Sequence, residues 1–195
     1  MRTITTTSVL LPMRKTKHVA PIVWMTGLPG SGKTTIAQGV VDKLHEDKYI
    51  CAFLDGDRMR EHICKGLGFS EGDRLENAYR IWKLSKKIAR NNIPVIVATI
   101  SPCEKLRSHI KKKTPGLIIV HVACSLETCV ARDPKGLYKS ALTGQTLNFT
   151  GISAPYDVPQ YPDLILATEF NSVEMNVKKL YSLVKERTYE QCRLD

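Results

Sequence analysis

The chain has 195 residues, 43% hydrophobic and 25% charged, which fits one globular domain with a substantial core. Its formal net charge of +10 favours an anionic partner, but the basic residues lack the interleaved aromatics of RNA-binding motifs. No segment approaches the roughly 18 apolar residues that cross a bilayer, and the six cysteines contain no C-x-x-C pair. We therefore expect a cytoplasmic protein that binds neither nucleic acid nor membranes.

The first twenty residues differ in composition from the rest of the chain. They are rich in Thr, Arg and Lys and contain no acidic residue. We predict a flexible basic arm over residues 1–20 and a single domain over residues 21–195. The same composition overlaps with that of organelle transit peptides, so targeting is the alternative for this arm.

Beyond the arm, apolar runs alternate with segments of helical periodicity, as is typical of a parallel α/β sheet. Strands are predicted over Ile22–Thr26, 50–54, 94–100, 117–123 and Leu164–Ala167. Helices are predicted over 33–48, 73–91 and 172–187, where apolar residues recur every three or four positions. Prolines and glycines interrupt residues 133–162, which predicts a functional lid with little regular structure.

A phosphate-binding motif follows the first predicted strand and opens a helix. It reads Gly27-Leu28-Pro29-Gly30-Ser31-Gly32-Lys33-Thr34 and matches G-x-x-x-x-G-K-[ST]. Backbone N–H groups of such a loop converge on phosphate oxygens. Lys33 would hold the β- and γ-phosphates of ATP, the Thr34 hydroxyl would ligate Mg²⁺, and Thr35 belongs to the same ATP-binding set. The fold class is therefore α/β, a three-layer P-loop NTPase fold with a mostly parallel sheet of about five strands and a lid.

Two carboxylates end the second predicted strand, in the run Leu54-Asp55-Gly56-Asp57. This is the edge of an open α/β sheet at which ligands bind. One carboxylate could hold Mg²⁺ through water, for which we assign Asp55, and the other could accept or orient the proton of an acceptor hydroxyl. Sequence alone leaves open whether Asp55 or Asp57 is the base. GTPase base-reading motifs of the N-K-x-D kind are absent, which leaves a small-molecule kinase.

Guanidinium groups are dense on the segment that follows. The polar and aromatic candidates are Arg58, Arg60, Phe69, Arg74, Asn77 and Arg80. Planar, permanently charged guanidinium groups suit a multiply charged acceptor.

Several short runs, in the same order, resemble the adenylyl-sulfate kinase family. They are Asp55-Gly56-Asp57, Leu67-Gly68-Phe69-Ser70, Ile100-Ser101-Pro102, residues 132–139 and residues 148–152. The resemblance extends over about residues 20–170. It implies transfer of the γ-phosphoryl group of ATP to the 3′-hydroxyl of adenylyl sulfate, in a usually homodimeric cytosolic enzyme of sulfate assimilation.

The resemblance also implies roles for individual residues. Phe69 and Phe149 would enclose the adenine of the acceptor, and Arg132 would lie near the base of ATP. The implied substrate-binding set is Asp57, Arg60, Phe69, Arg74, Asn77, Ile100, Ser101, Lys135, Leu137 and Phe149. Bacterial members are often described with a phosphoserine at the position of Ser101; we assign Ser101 to the catalytic set and favour a substrate contact, because in-line transfer needs no covalent step.

The chain departs from the family pattern near the expected acceptor site. The departures are Arg58, Cys64, Tyr79, Cys103 and Glu104. Glu104 stands where a cation is frequent, and a carboxylate there would weaken binding of a sulfate group that it faced. Two alternatives therefore stay open: a related kinase for another activated nucleotide, and a non-catalytic nucleotide-binding subunit.

Overall fold

The computed structural model describes residues 19–190, so residues 1–18 of the predicted basic arm lie outside the described residues. Its centre is a five-stranded sheet with the order β2-β3-β1-β4-β5, in which every neighbouring pair is parallel. The strands are β1 Ile22–Thr26, β2 Ala52–Asp55, β3 Val95–Ala98, β4 Ile118–Ala123 and β5 Leu164–Ala167. This confirms the predicted α/β class.

The helices are more numerous than predicted. They are α1 Lys33–Glu46, α2 Gly56–Glu61, α3 Glu71–Ala89, α4 Glu104–Lys112, α5 Leu126–Arg132, α6 Leu137–Leu142 and α7 Val173–Lys185, followed by a π-helical turn at Glu186–Glu190. The predicted 33–48 and 172–187 helices were each too long, whereas α3 begins two residues before the predicted start because Ser70 caps it by accepting the Asp73 N–H at 3.1 Å.

The lid segment, residues 133–162, contains one helix that the sequence analysis did not predict. The Asp133 carboxylate accepts the backbone N–H groups of Tyr138 and Lys139, each at 3.0 Å, in the first turn of α6. These N–H groups have no partner within a helix, so the carboxylate stabilises a short helix despite the flanking breakers. The expectation of little regular structure in the lid segment was wrong at α6.

The two faces of the sheet are covered by different helices. Val23 and Met25 belong to a core cluster with α1 and α7, whereas Ile22 and Trp24 belong to a second cluster with α3 and α4. This alternation follows from the two-residue period of a strand and produces three layers. Across residues 19–190, no helix combines the length and apolar character that crossing a bilayer requires.

Candidate active site

The phosphate-binding loop leaves β1 between its two neighbouring strands and passes close to β4. A Cβ atom built on Gly27 would lie 2.5 Å from the Val122 carbonyl oxygen, so only glycine fits there. Gly32 precedes α1 with a φ of 95°, in the left-handed region that favours glycine. Both glycines therefore maintain the loop conformation that the motif predicted.

Lys33 folds back over this loop. Its ammonium group donates to the carbonyl oxygens of Gly27 at 2.9 Å and Leu28 at 2.6 Å, and to Ser31 Oγ at 3.3 Å. Lys33 is buried, and desolvation lowers its pKa to about 8. A buried cation held only by neutral oxygens can exchange these partners for an anion at the same place.

Thr34 and Asp55 meet across the carboxyl ends of β1 and β2. Thr34 Oγ1 donates to Asp55 Oδ2 at 2.7 Å, and Asp55 Oδ1 accepts the backbone N–H of Asp57 at 2.9 Å, which caps α2. Asp55 is 6% exposed. Both of its oxygens therefore have fixed partners, one of them the threonine predicted to bind the same ion.

Asp57 lies two residues further on and has a different environment. Its carboxylate accepts from Lys135 Nζ of the lid segment at 2.5 Å, and the two side chains are 70% and 61% exposed. The hydrogen bond with Asp57 raises the pKa of Lys135. The structure thus brings a lid lysine onto the more accessible of the two carboxylates.

Arg60 and Arg74 organise the segment around Phe69. The Arg60 guanidinium lies 4.5 Å from the centre of the Phe69 ring and donates to the Gly68 carbonyl at 3.0 Å. Arg74 Nε donates to the Phe69 carbonyl at 2.9 Å, and its two terminal nitrogens donate to Asn148 O and Thr150 Oγ1. Arg74 therefore connects the two segments that carry the predicted adenine-binding rings.

These two rings differ in exposure. Phe69 is 56% exposed, whereas Phe149 is buried and packs edge-on against Tyr138 with 5.0 Å between ring centres. Phe69 is therefore accessible to a planar ligand in this structure, whereas Phe149 is held in a small core beside the phosphate-binding loop.

Asn77 and Ser101 supply two buried polar atoms. Asn77 Oδ1 and Ser101 Oγ are buried and have no hydrogen-bond partner within the described chain. Ser101 has a φ of 43°, and the carbonyl of Ile100 before it accepts from Thr26 Oγ1 at 2.6 Å. A buried unpaired polar atom costs about 1–3 kcal/mol, so both atoms suit a ligand that supplies hydrogen bonds.

The remaining predicted residues are Arg132, Thr35 and Leu137. Arg132 donates to the Thr168 carbonyl at 2.7 Å, and Thr168 Oγ1 donates to the Ser31 carbonyl at 2.9 Å. Arg132 is therefore joined to the phosphate-binding loop through Thr168. Thr35 at the start of α1 and Leu137 at the start of α6 are both exposed.

Sequence reasoning missed Arg107, which is 1% exposed. Its guanidinium pairs with the Glu104 carboxylate at 2.6 Å and donates to the carbonyl oxygens of Ser101 and Asp157. Glu104 and Arg107 are three residues apart, a spacing that pairs charges on a helix, but no helix was predicted over this segment. Its connection to Ser101 has no local sequence signal.

It also missed Tyr138, whose hydroxyl donates to the Pro29 carbonyl at 2.9 Å. The two residues lie far apart in the chain, so no short-range pattern predicts this contact.

A parallel sheet, a phosphate-binding loop after its central strand and paired carboxylates after β2 together define a P-loop kinase of the small-molecule type.

The comparisons with known proteins identify the family. The model of the adenylylsulphate kinase family matches residues 19–167, and the chain belongs to this family. A probable adenylyl-sulfate kinase of Aeropyrum pernix is 45% identical over 84% of this chain and 92% of its own. An adenylyl-sulfate kinase of Oceanobacillus iheyensis is 40% identical over 88% and 87%. These matches confirm the resemblance predicted from the short runs.

A solved structure gives the same result. The Mycobacterium tuberculosis APS kinase in complex with AMPPNP and APS superposes with a TM-score of 0.82. It is 36% identical in sequence, and the match covers 86% of this chain and 98% of that one.

Proposed function

We propose that this protein transfers the γ-phosphoryl group of ATP to the 3′-hydroxyl of adenylyl sulfate and forms 3′-phosphoadenylyl sulfate. The observation that carries the proposal is the Thr34–Asp55 hydrogen bond, which places a phosphate-binding loop beside the Asp55 carboxylate at the end of β2. Membership of the adenylylsulphate kinase family supports the choice of acceptor.

At the donor end, Lys33 would exchange the Gly27 and Leu28 carbonyls for the β- and γ-phosphates. Its lowered pKa indicates that the charged form is poorly solvated in the chain alone, and phosphate oxygens would stabilise that form. Residues 27–35 would surround the phosphates, and Arg132 would lie near the base of ATP.

The oxygens of Thr34 and Asp55 fit Mg²⁺, because a hydroxyl and a carboxylate 2.7 Å apart are the hard ligands that this ion prefers. Within residues 19–190 no group of three or more His, Cys, Asp or Glu could hold a metal. This agrees with an ion bound by few protein groups together with substrate phosphates. Bound there, Mg²⁺ would neutralise the charge that develops on the phosphoryl group.

The different environments of the two carboxylates support different roles for them. Both oxygens of Asp55 have fixed partners on the loop and on α2, whereas the Asp57 carboxylate is exposed and pairs with a lid lysine. We assign Asp55 to the metal side and Asp57 to the acceptor hydroxyl. As the new bond forms between the 3′-oxygen and the γ-phosphorus, the bond to the β,γ-bridging oxygen breaks and Asp57 receives or orients the proton.

On the acceptor side, Arg60, Arg74 and Asn77 would hold the phosphosulfate and ribose, with Phe69 and Phe149 against the adenine. Hydroxyl groups of the ribose would satisfy the unpaired atoms of Asn77 and Ser101. Ser101 is 3% exposed on a backbone in the left-handed region, which favours a fixed contact over a nucleophile that must be phosphorylated and released. Ile100, Lys135 and Leu137 would complete the acceptor site.

The decisive experiment is an ATP-consumption assay with Mg²⁺ and micromolar adenylyl sulfate, beside a panel of other nucleotide acceptors. Fast turnover of adenylyl sulfate alone supports the proposal. Turnover of another nucleotide only would mean a changed acceptor, and ATP binding without transfer to any acceptor would mean a non-catalytic subunit. In the same assay Lys33→Ala is expected to lower kcat by about 10²–10³-fold, as for loss of one transition-state donor.

We further propose a homodimer in the cytoplasm that acts in sulfate assimilation, as the family resemblance implies. Light scattering coupled to size-exclusion chromatography tests the dimer. The alternative of organelle targeting concerns residues outside the described chain.

A further inference from the structure

A small core separate from the two main ones joins the donor and acceptor sides. Its buried members are Cys129, Tyr138, Ala141 and Phe149, which we call the lid cluster. Leu28 of the phosphate-binding loop packs against the lid cluster. The loop expected to bind ATP and the ring expected to bind the acceptor therefore share one small core.

Tyr138 has two attachments within this cluster. Its hydroxyl donates to the Pro29 carbonyl of the loop at 2.9 Å, and its ring packs edge-on against Phe149 at 5.0 Å between centres. Tyr138 is 1% exposed, and burial raises its pKa, so the hydroxyl stays protonated and continues to donate at neutral pH. One side chain thus links the loop backbone to the acceptor ring.

Phosphate binding is expected to change the conformation of the phosphate-binding loop. Lys33 holds the carbonyls of Gly27 and Leu28, directly before Pro29 in the chain. If the ammonium group turned to phosphate, it would release both carbonyls, and the backbone of the loop would be free to adjust. Close packing transmits such an adjustment, because a Cβ atom on Gly30 would lie 3.3 Å from the Cys129 carbonyl oxygen.

We propose that Tyr138 is a positioning residue that couples occupancy of the phosphate-binding loop to the placement of Phe149, and thereby to acceptor binding. This inference rests on the proposed function, since it takes Phe149 to contact the acceptor. Tyr138 itself would touch neither nucleotide. Its hydrogen bond to Pro29, present while Lys33 binds the loop carbonyls, would carry a change of the loop on phosphate binding to the Phe149 ring.

Coupling of this kind is reciprocal and has a measurable size. If an ATP analogue tightens adenylyl sulfate binding by some factor, adenylyl sulfate tightens binding of the analogue by the same factor. We expect a factor of about 10 in the wild type, within the usual range of about 5–150 for coupled sites. Tyr138→Phe keeps the ring and removes only the hydrogen bond to Pro29, so the factor is expected to fall towards 1.

The test is calorimetric titration of adenylyl sulfate into the protein, with and without a saturating non-hydrolysable ATP analogue and Mg²⁺. Tyr181→Phe is the matched control, because its hydroxyl bonds Asp47 between α1 and α7, away from the site. We expect both variants to bind adenylyl sulfate alone about as the wild type does. Only in Tyr138→Phe should the ATP analogue no longer tighten adenylyl sulfate binding. A general loss of stability would not change the ratio of the two adenylyl sulfate affinities, with and without the analogue.

Two results would overturn the coupling alone: a wild-type factor of 1, or an unchanged factor in Tyr138→Phe. Failure of the wild type to bind adenylyl sulfate in either state would overturn the proposed function and the coupling with it.

Discussion

Replacing Arg107 by Met should both destabilise the protein and disturb the backbone at Ser101. Arg107 is 1% exposed, and its guanidinium is paired with Glu104 and bonded to the carbonyl oxygens of Ser101 and Asp157. Met has a similar length but no donor. The variant would leave a partly buried carboxylate and two carbonyl groups without this partner.

The size of the expected loss of stability follows from these lost partners. Removing one member of a buried ion pair costs about 3–5 kcal/mol. The Glu104 side chain is 24% exposed and keeps a hydrogen bond from Ser108 Oγ at 2.8 Å, which favours the lower end of that range. For a chain of this size, about 3 kcal/mol corresponds to a fall in Tm of about 6–12 °C.

The assay is chemical denaturation with and without the Glu104→Gln change, followed by steady-state kinetics. The double variant should recover part of the loss, because the uncompensated carboxylate is gone. Lys111→Met is the matched control: its ion pair with Asp163 is exposed and should contribute under about 1 kcal/mol. Because Arg107 fixes the Ser101 carbonyl, KM for the acceptor should rise more than KM for ATP. If Arg107→Met loses no more stability than the control, the buried Arg107–Glu104 pair does not stabilise the fold.

Three further outcomes are expected. Thr34→Val removes the hydroxyl beside Asp55 and should raise the Mg²⁺ concentration needed for half-maximal activity, measured by metal titration; an unchanged requirement would contradict its role as a ligand. Phe149→Leu should raise the acceptor KM by about 5–150-fold, the worth of one stacked base, with ATP affinity nearly unchanged; an unaltered acceptor KM would exclude stacking. Lys135→Gln breaks an exposed pair with Asp57 and should leave Tm within about 2 °C while kcat falls, and an unchanged kcat would remove the lid lysine from the mechanism.

The donor side was the part that sequence could predict. The phosphate-binding motif specifies a strand before it and a helix after it, so the positions of Lys33 and Thr34 follow from local pattern. Asp55 could be placed nearby because the carboxyl ends of parallel strands share one edge of the sheet. The hydrogen bond between Thr34 and Asp55 agrees with that expectation.

Other features depend on contacts between distant segments and could not be predicted in this way. The contacts of Tyr138 with Pro29 and of Arg74 with Asn148 join the lid segment to residues far away in the chain, so they exist only in the folded protein. The helix α6 escaped prediction for a related reason: prolines and glycines flank it, and its buried face consists of only Tyr138 and Ala141, too short a pattern to indicate a helix. The Asp133 carboxylate that accepts N–H groups of its first turn adds to its stability.

The structure weakens one reason for assigning a different acceptor. Glu104 departs from the family pattern, but its carboxylate is bound by Arg107 and Ser108 of its own helix, so it is not free to repel a sulfate group. A buried guanidinium needs a nearby counter-charge, and Glu104 supplies it for Arg107. Arg60 and Arg74, which the resemblance assigns to the acceptor, both hold the segment around Phe69. Nothing in the structure explains Arg58 or the half-buried Cys103, which also depart from the family pattern.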